Sequence, residues 1–192
     1  MEYLKKLKYN SPVILTFTFI CLIVLGLGAI TGGYTTEKFF CVYRSSFKDP
    51  LSYVRLFTHI SGHTNFEHFF NNFLIILIVG PMLEEKYGSK VLLLLIVITA
   101  FITGIVQIII SNTALLGASG IAFMLIILTS FTNVEDGKIP ITMILIATMY
   151  LGKEIYYGIV YSDNVSQITH IIGGVCGIII GMIISKYYKR RN

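Results

Sequence analysis

Long unbroken apolar runs constrain this chain more than any other feature. "VILTFTFICLIVLGLGAI" at 13–30 and "VLLLLIVITAFITGIVQIII" at 91–110 contain no charged residue. At a helical rise of about 1.5 Å per residue, runs of this length match a hydrocarbon core roughly 30 Å thick. A segment inside lipid must satisfy its own backbone, so these runs are expected to be helices. Composition agrees, because the 192 residues are 55% hydrophobic and only 13% charged.

Extending the same reading along the chain gives six spans, at 13–30, 66–83, 91–110, 114–131, 139–157 and 165–185. The expected fold class is an all-α membrane protein, a six-transmembrane-helix bundle, with 1–192 as a single membrane domain. The second span carries Glu67, His68, Asn71 and Asn72, and Lys153 and Glu154 interrupt the fifth. The longest connection is the external loop 31–63, rich in aromatic and polar residues. A loop of that length carries function or short structure of its own, here at the outer membrane interface. The first run follows "KKLK" as a signal peptide would, but it exceeds a usual h-region and no A-x-A site follows, so a retained helix is expected.

The net charge of +5 raises the question of nucleic acid. An even number of spans puts both termini on one side, with Lys5, Lys6, Lys8, Lys86, Lys90, Lys138, Lys186, Lys189, Arg190 and Arg191. Lys38, Arg44, Lys48, Arg55 and Lys153 fall opposite. Basic residues concentrate on the cytoplasmic side of membrane proteins, so both termini are expected to be cytoplasmic. The basic excess is thus a topology signal, and no nucleic-acid partner is expected. Cys21, Cys41 and Cys176 are scattered, which argues against a disulfide framework or a zinc knuckle.

Polar side chains inside a membrane are costly and mark functional candidates. His68 and Asn72 lie in the outer half of span 2. Ser119 is five residues into span 4, roughly 7 Å below its outer end at 1.5 Å per residue, and His170 is five residues into span 6. All three spans run inward, so these four residues share one depth. A serine hydroxyl becomes a nucleophile when an imidazole within reach takes its proton. His170, Gly173 and Gly177 fall on one helical face, and small residues at such spacing let a second helix approach closely. Gly117 and Gly120 do the same beside Ser119. Attack on a carbonyl also needs donors aimed at the developing oxyanion. His68 and Asn72, at i and i+4, and the Ser119 backbone amide are the candidates, the amide especially if the helix begins near Gly117. No acidic partner for His170 is evident, which points to a dyad.

Simpler readings exist for each residue. Ser119 and the glycines could serve helix packing alone, and Phe123 could be core. Arg55 alone reads as an interfacial basic residue and Glu84 as a solvated or interfacial carboxylate. His59, His63 and His68 cannot all ligate a metal from one helical face, so no metal and no cofactor are expected.

Taken together, the motifs resemble the rhomboid intramembrane serine proteases. "HISGHTNFEHFFNNF" is similar to that family's second-span pattern, with His68 and Asn72 as the oxyanion pair and His59 and His63 on preceding family histidines. "LEEKYG" places Glu84 on a structural glutamate, "GASG" is similar to the nucleophile motif at Ser119, and "HIIGGVCG" to the sixth-span motif with His170, Gly173 and Gly177. Arg55 stands where the family has a loop arginine. Phe123 occupies a position that is often tyrosine in the family. The resemblance covers about residues 51–181. It implies a serine endopeptidase that cleaves transmembrane protein substrates near the outer face of a bilayer, in a bacterial plasma membrane. The competing expectation is a catalytically silent relative that binds transmembrane clients.

Overall fold

A computed structural model describes residues 8–46, 48–131 and 164–189, together with isolated residues between 141 and 156. The expected span 139–157 falls outside the described residues except for those isolated positions, which are helical. Among the described residues the chain is all-helical. The helices are α1 (Pro12–Ile30), α2 (Tyr34–Phe39), α3 (Pro50–Thr58), α4 (Phe66–Tyr87), α5 (Ser89–Ile110), α6 (Ser119–Ser130) and α7 (Asn164–Lys189). A 3-10 turn, His59–Ser61, joins the end of α3 to the approach to α4.

Three helices, α1, α4 and α5, are long and apolar enough to cross a membrane. Their sequences explain where they begin and end. Pro12 opens α1, where its missing N–H costs nothing. Asn65 caps α4 by accepting the His68 amide at 2.8 Å. Gly88, at φ +83°, makes the tight turn from α4 into α5. Ile23, Ile78 and Ile109 are exposed on these helices, as expected where lipid tails take the place of water.

The connection 31–63 is more ordered than its sequence suggests. It folds into α2 and α3, the latter opened by Asp49, whose carboxylate accepts the Leu51 amide at 3.0 Å. Arg55 is buried: its Nε donates to the Lys38 carbonyl at 2.8 Å, and it pairs with Asp49 at 3.0 Å. Its guanidinium lies over the Tyr43 ring, 4.6 Å from the centroid. Glu84 is likewise not solvated. Ser11 gives α1 no side-chain cap, and the Glu84 carboxylate substitutes, accepting the amides of Val13 at 2.9 Å and Ile14 at 3.0 Å. Ser89 donates to the same carboxylate at 2.7 Å. An anion at a helix N-terminus also opposes the positive end of the helix dipole. These contacts, with the Phe17 ring tilted against Phe73 at 5.4 Å between centroids, set α1 antiparallel to α4.

The fourth expected span departs from its sequence reading at one end. The run 114–131 is apolar throughout, yet the helix begins only at Ser119. Residues 111–118 approach it in a non-helical path, and Leu115 pairs with Val42 of the connection 31–63 as an isolated antiparallel bridge. Hydropathy cannot separate the two conformations, because Leu115 is buried either way.

Candidate active site

Ser119 owes its position to the glycine two residues before it. Gly117 adopts φ +122°, a conformation that side chains other than glycine rarely take. A Cβ there would lie 2.7 Å from His68 Nε2 and 3.7 Å from Asn72 Nδ2. The bare backbone therefore rests directly against both side chains. Gly117 donates its N–H to the His59 carbonyl at 3.0 Å, and Ala118 donates to His63 Nε2 at 3.5 Å. The helix then starts, and its first turn closes when Ala122 donates to the Ala118 carbonyl at 2.9 Å. Ala118 has no side chain able to cap, so the amides of Ser119, Gly120 and Ile121 lack an intrahelical acceptor. Ser119 is thus the first residue of α6 rather than the sixth of a longer span.

Glycines on α7 bring the second element in. A Cβ on Gly173 would fall onto the Gly120 carbonyl, and one on Gly177 would sit 2.7 Å from the Met124 carbonyl. Further along, Gly181 abuts the Phe131 ring. Both series of numbers rise together, so α6 and α7 run parallel. At the Ser119 end of this seam the methyl of Thr169 packs on Gly120, and the next residue is His170. The His170 ring stacks on Phe123 at 4.5 Å between centroids with an interplanar angle of 7°. Phe123 is one turn after Ser119, so the imidazole is held beside the first turn of α6.

The third element is the start of α4. His68 Nδ1 lies 3.3 Å from Thr64 Oγ1, which leaves Nε2 as the atom facing Gly117. Asn72 is buried, and its Nδ2 has no hydrogen-bond partner among the described residues. A buried unsatisfied donor costs about 1–3 kcal/mol, so an amide kept in that state beside Gly117 is a donor in reserve. His63 and His59 lie beneath. His63 Nδ1 is 3.3 Å from the Ser61 carbonyl, and donation there makes Nε2 the acceptor for Ala118. Burial pushes both His59 and His63 down to about 4, so each stays neutral near pH 7. The His63 ring thus supports the segment directly, whereas the His59 ring lies 3.1 Å from the Arg55 carbonyl and 3.3 Å from Thr103 Oγ1 and so fixes the His59 carbonyl that holds Gly117.

Among the expected site residues, then, Ser119, Gly117, Gly120, Phe123, His63, His68, Asn72, His170 and Gly173 gather at one end of the bundle. Gly177 lies further along the same seam. Glu84 sits at the far end of α4, at the α1 terminus, and Arg55 holds the connection 31–63 together, so neither belongs to the cluster. No group of three His, Cys, Asp or Glu able to hold a metal ion occurs among the described residues. The His59 carbonyl and the Val42–Leu115 pairing escape sequence reading because they are backbone contacts.

The fold and the site define a helical membrane bundle with a polar cluster enclosed at the head of its central helix. A sequence profile of the Rhomboid domain matches residues 50–187, and the chain belongs to the rhomboid family. It is also 26% identical over 190 residues to the Rhomboid protease GlpG of Haemophilus influenzae, an alignment covering 95% of this chain and 96% of that protein.

Proposed function

We propose that the protein is an intramembrane serine endopeptidase working through a Ser119–His170 dyad. Ser119 Oγ attacks the carbonyl of a peptide bond in a transmembrane substrate, and His170 takes the hydroxyl proton. The developing oxyanion receives hydrogen bonds from the Ser119 amide, His68 and Asn72 Nδ2. A donor of this kind contributes about 10²–10³-fold in rate. Collapse of the tetrahedral species breaks the C–N bond as His170 protonates the leaving amine. Water then hydrolyses the acyl-enzyme with His170 acting as base.

The observation that carries this reading is the parallel glycine seam between α6 and α7, which holds His170 stacked on Phe123 one turn from Ser119. The stack fixes the ring plane, a task that a third, acidic residue performs in a triad. In the proposed topology 1–192 forms one domain of six spans, with both termini cytoplasmic and the site near the outer face of a bacterial plasma membrane. Substrates are transmembrane proteins, and the chemistry needs no metal or cofactor.

The test is labelling of the detergent-purified protein by a fluorophosphonate. Labelling that Ser119→Ala and His170→Ala each abolish is the expected result. A folded parent that does not label would refute the dyad and favour a relative that only binds transmembrane clients.

A further inference from the structure

Residues 111–118 deliver Ser119 into the bundle, and the way they are anchored on their outer side is not explained by the site itself. Val42 and Leu115 exchange both backbone hydrogen bonds, at 2.9 and 2.8 Å. Two residues beyond Val42, Arg44 lays its guanidinium across the end of α5. Its Nε donates to the Ile108 carbonyl at 2.8 Å, Nη2 to the Ile109 carbonyl at 2.7 Å, and Nη1 to Asn112 Oδ1 at 2.7 Å. The two carbonyls are among the last four of α5, which the helix itself cannot pair. A cation there also opposes the negative end of the helix dipole. Asn112 is the second residue of the connection to α6. The planar fork of an arginine presents donors in fixed directions, so a single side chain locks the helix end and the start of the connection as one unit.

Only Leu116, Gly117 and Ala118 separate the paired Leu115 from Ser119. We propose that Arg44 is a positioning residue for the nucleophile: by fixing where α5 ends, it sets the register in which Gly117 and the Ser119 amide meet His68 and Asn72. Arg44 touches none of the reacting groups and acts through Asn112 and the Val42–Leu115 pair. The inference rests on Ser119 being the nucleophile proposed above.

The consequence is a change in chemistry rather than in binding. In the purified full-length chain, the limiting rate of fluorophosphonate inactivation falls in Arg44→Gln, while the reagent concentration giving half that rate is unchanged. The expected fall is about tenfold, the scale of a sub-ångström misplacement. Arg44→Lys, which keeps one cation but not the fork, recovers part of the rate. Asn112→Ala lowers the rate less than Arg44→Gln, and the double variant is no slower than Arg44→Gln alone, because both substitutions break one clasp. Amide hydrogen exchange in 111–118 accelerates in Arg44→Gln while that of α1 and α4 does not.

A parental limiting rate in Arg44→Gln, or additive losses in the double variant, would overturn the proposal. Should Arg44→Gln fail to fold, Asn112→Ala, which removes one of the three bonds, decides alone: faster exchange in 111–118 with a lowered limiting rate supports the clasp, and a parental rate refutes it. A parent that does not label removes Ser119 as nucleophile, and this positioning role with it. A parent that labels beside an unaffected Arg44→Gln removes the positioning role only.

Discussion

Adding one methyl group at Gly173 probes the seam between α6 and α7 directly. The new Cβ would fall onto the Gly120 carbonyl and lie 2.9 Å from both Gly120 Cα and its carbonyl carbon. These are backbone atoms of a buried helix, so no rotamer change relieves the contact and α7 itself must withdraw. Overpacking of this kind costs about 1–3 kcal/mol in stability. The effect on the reaction is of similar size. His170 is one turn before Gly173 on the same face, and its ring stacks 4.5 Å from Phe123. Withdrawal by about 1 Å would separate the proposed base from the proposed nucleophile, and a misplacement of that size costs about 100-fold in rate. Gly26→Ala in α1 is the control, because nothing lies within 4 Å of its added Cβ. The assay is the fluorophosphonate inactivation rate of each variant beside the parent, at a temperature where thermal unfolding shows all three folded. Gly26→Ala should react as the parent does. A Gly173→Ala protein reacting at the parental rate would refute the argument that the seam sets the dyad.

Three further outcomes follow from the contacts described. Asn72→Ala should lower the inactivation rate about 10²–10³-fold, with a smaller loss of thermal stability than burial of the residue suggests, because the substitution removes an unsatisfied donor; equal activity would take Asn72 out of the oxyanion site. Glu84→Ala strands the amides of Val13 and Ile14, at about 1–3 kcal/mol for each buried donor left without an acceptor, whereas Glu84→Gln retains an acceptor oxygen and loses less; thermal unfolding in detergent compares them, and equal midpoints for Ala and parent would disprove the cap. For pH, burial pushes His59 and His63 from 6.5 to about 4 in the folded protein. The unfolded chain therefore binds more protons between those values, and stability should fall as pH drops from about 6.5 towards 4; a flat unfolding midpoint across that window in the parent would contradict the neutral scaffold role.

The sequence was most legible where helices meet lipid. The runs at 13–30, 66–83 and 91–110 became α1, α4 and α5 with boundaries shifted by only a few residues, because a helix in lipid must begin and end with its apolar stretch. The close approach of α6 and α7 through Gly173 and Gly177 was legible too, since Gly173 lies against Gly120 and Gly177 against Met124. Legibility failed where backbone groups do the work. The apolar run from 114 to 118 is not helical because Leu115 pairs with Val42, a partner more than 70 residues earlier whose pairing leaves no trace in hydropathy. Arg55 and Glu84 looked like surface charges by residue type. Each is buried because it serves several backbone groups at once, the Lys38 carbonyl for one and the amides opening α1 for the other. Charge patterning reports on membrane topology and carries no information about such backbone debts.

The enclosure of α6 has an evolutionary consequence. Ten of its 12 residues are buried, and no stripe of the helix is left for lipid. At about 1.5 Å per residue it is roughly 18 Å long, well short of a bilayer core. Hydrophobic mismatch, which penalises a short helix facing lipid, does not act on one that lipid never touches. Selection on α6 is then the selection felt by the interior of a water-soluble protein, where volume and shape decide and hydropathy does not. Substitutions such as Ile127 or Leu128 to alanine would be judged by the cavity they leave, whereas the outward positions of α1 and α5 can drift among large apolar residues with little effect. The central helix should therefore diverge slowly and the peripheral helices quickly, an order opposite to that expected if membrane residence alone governed the sequence.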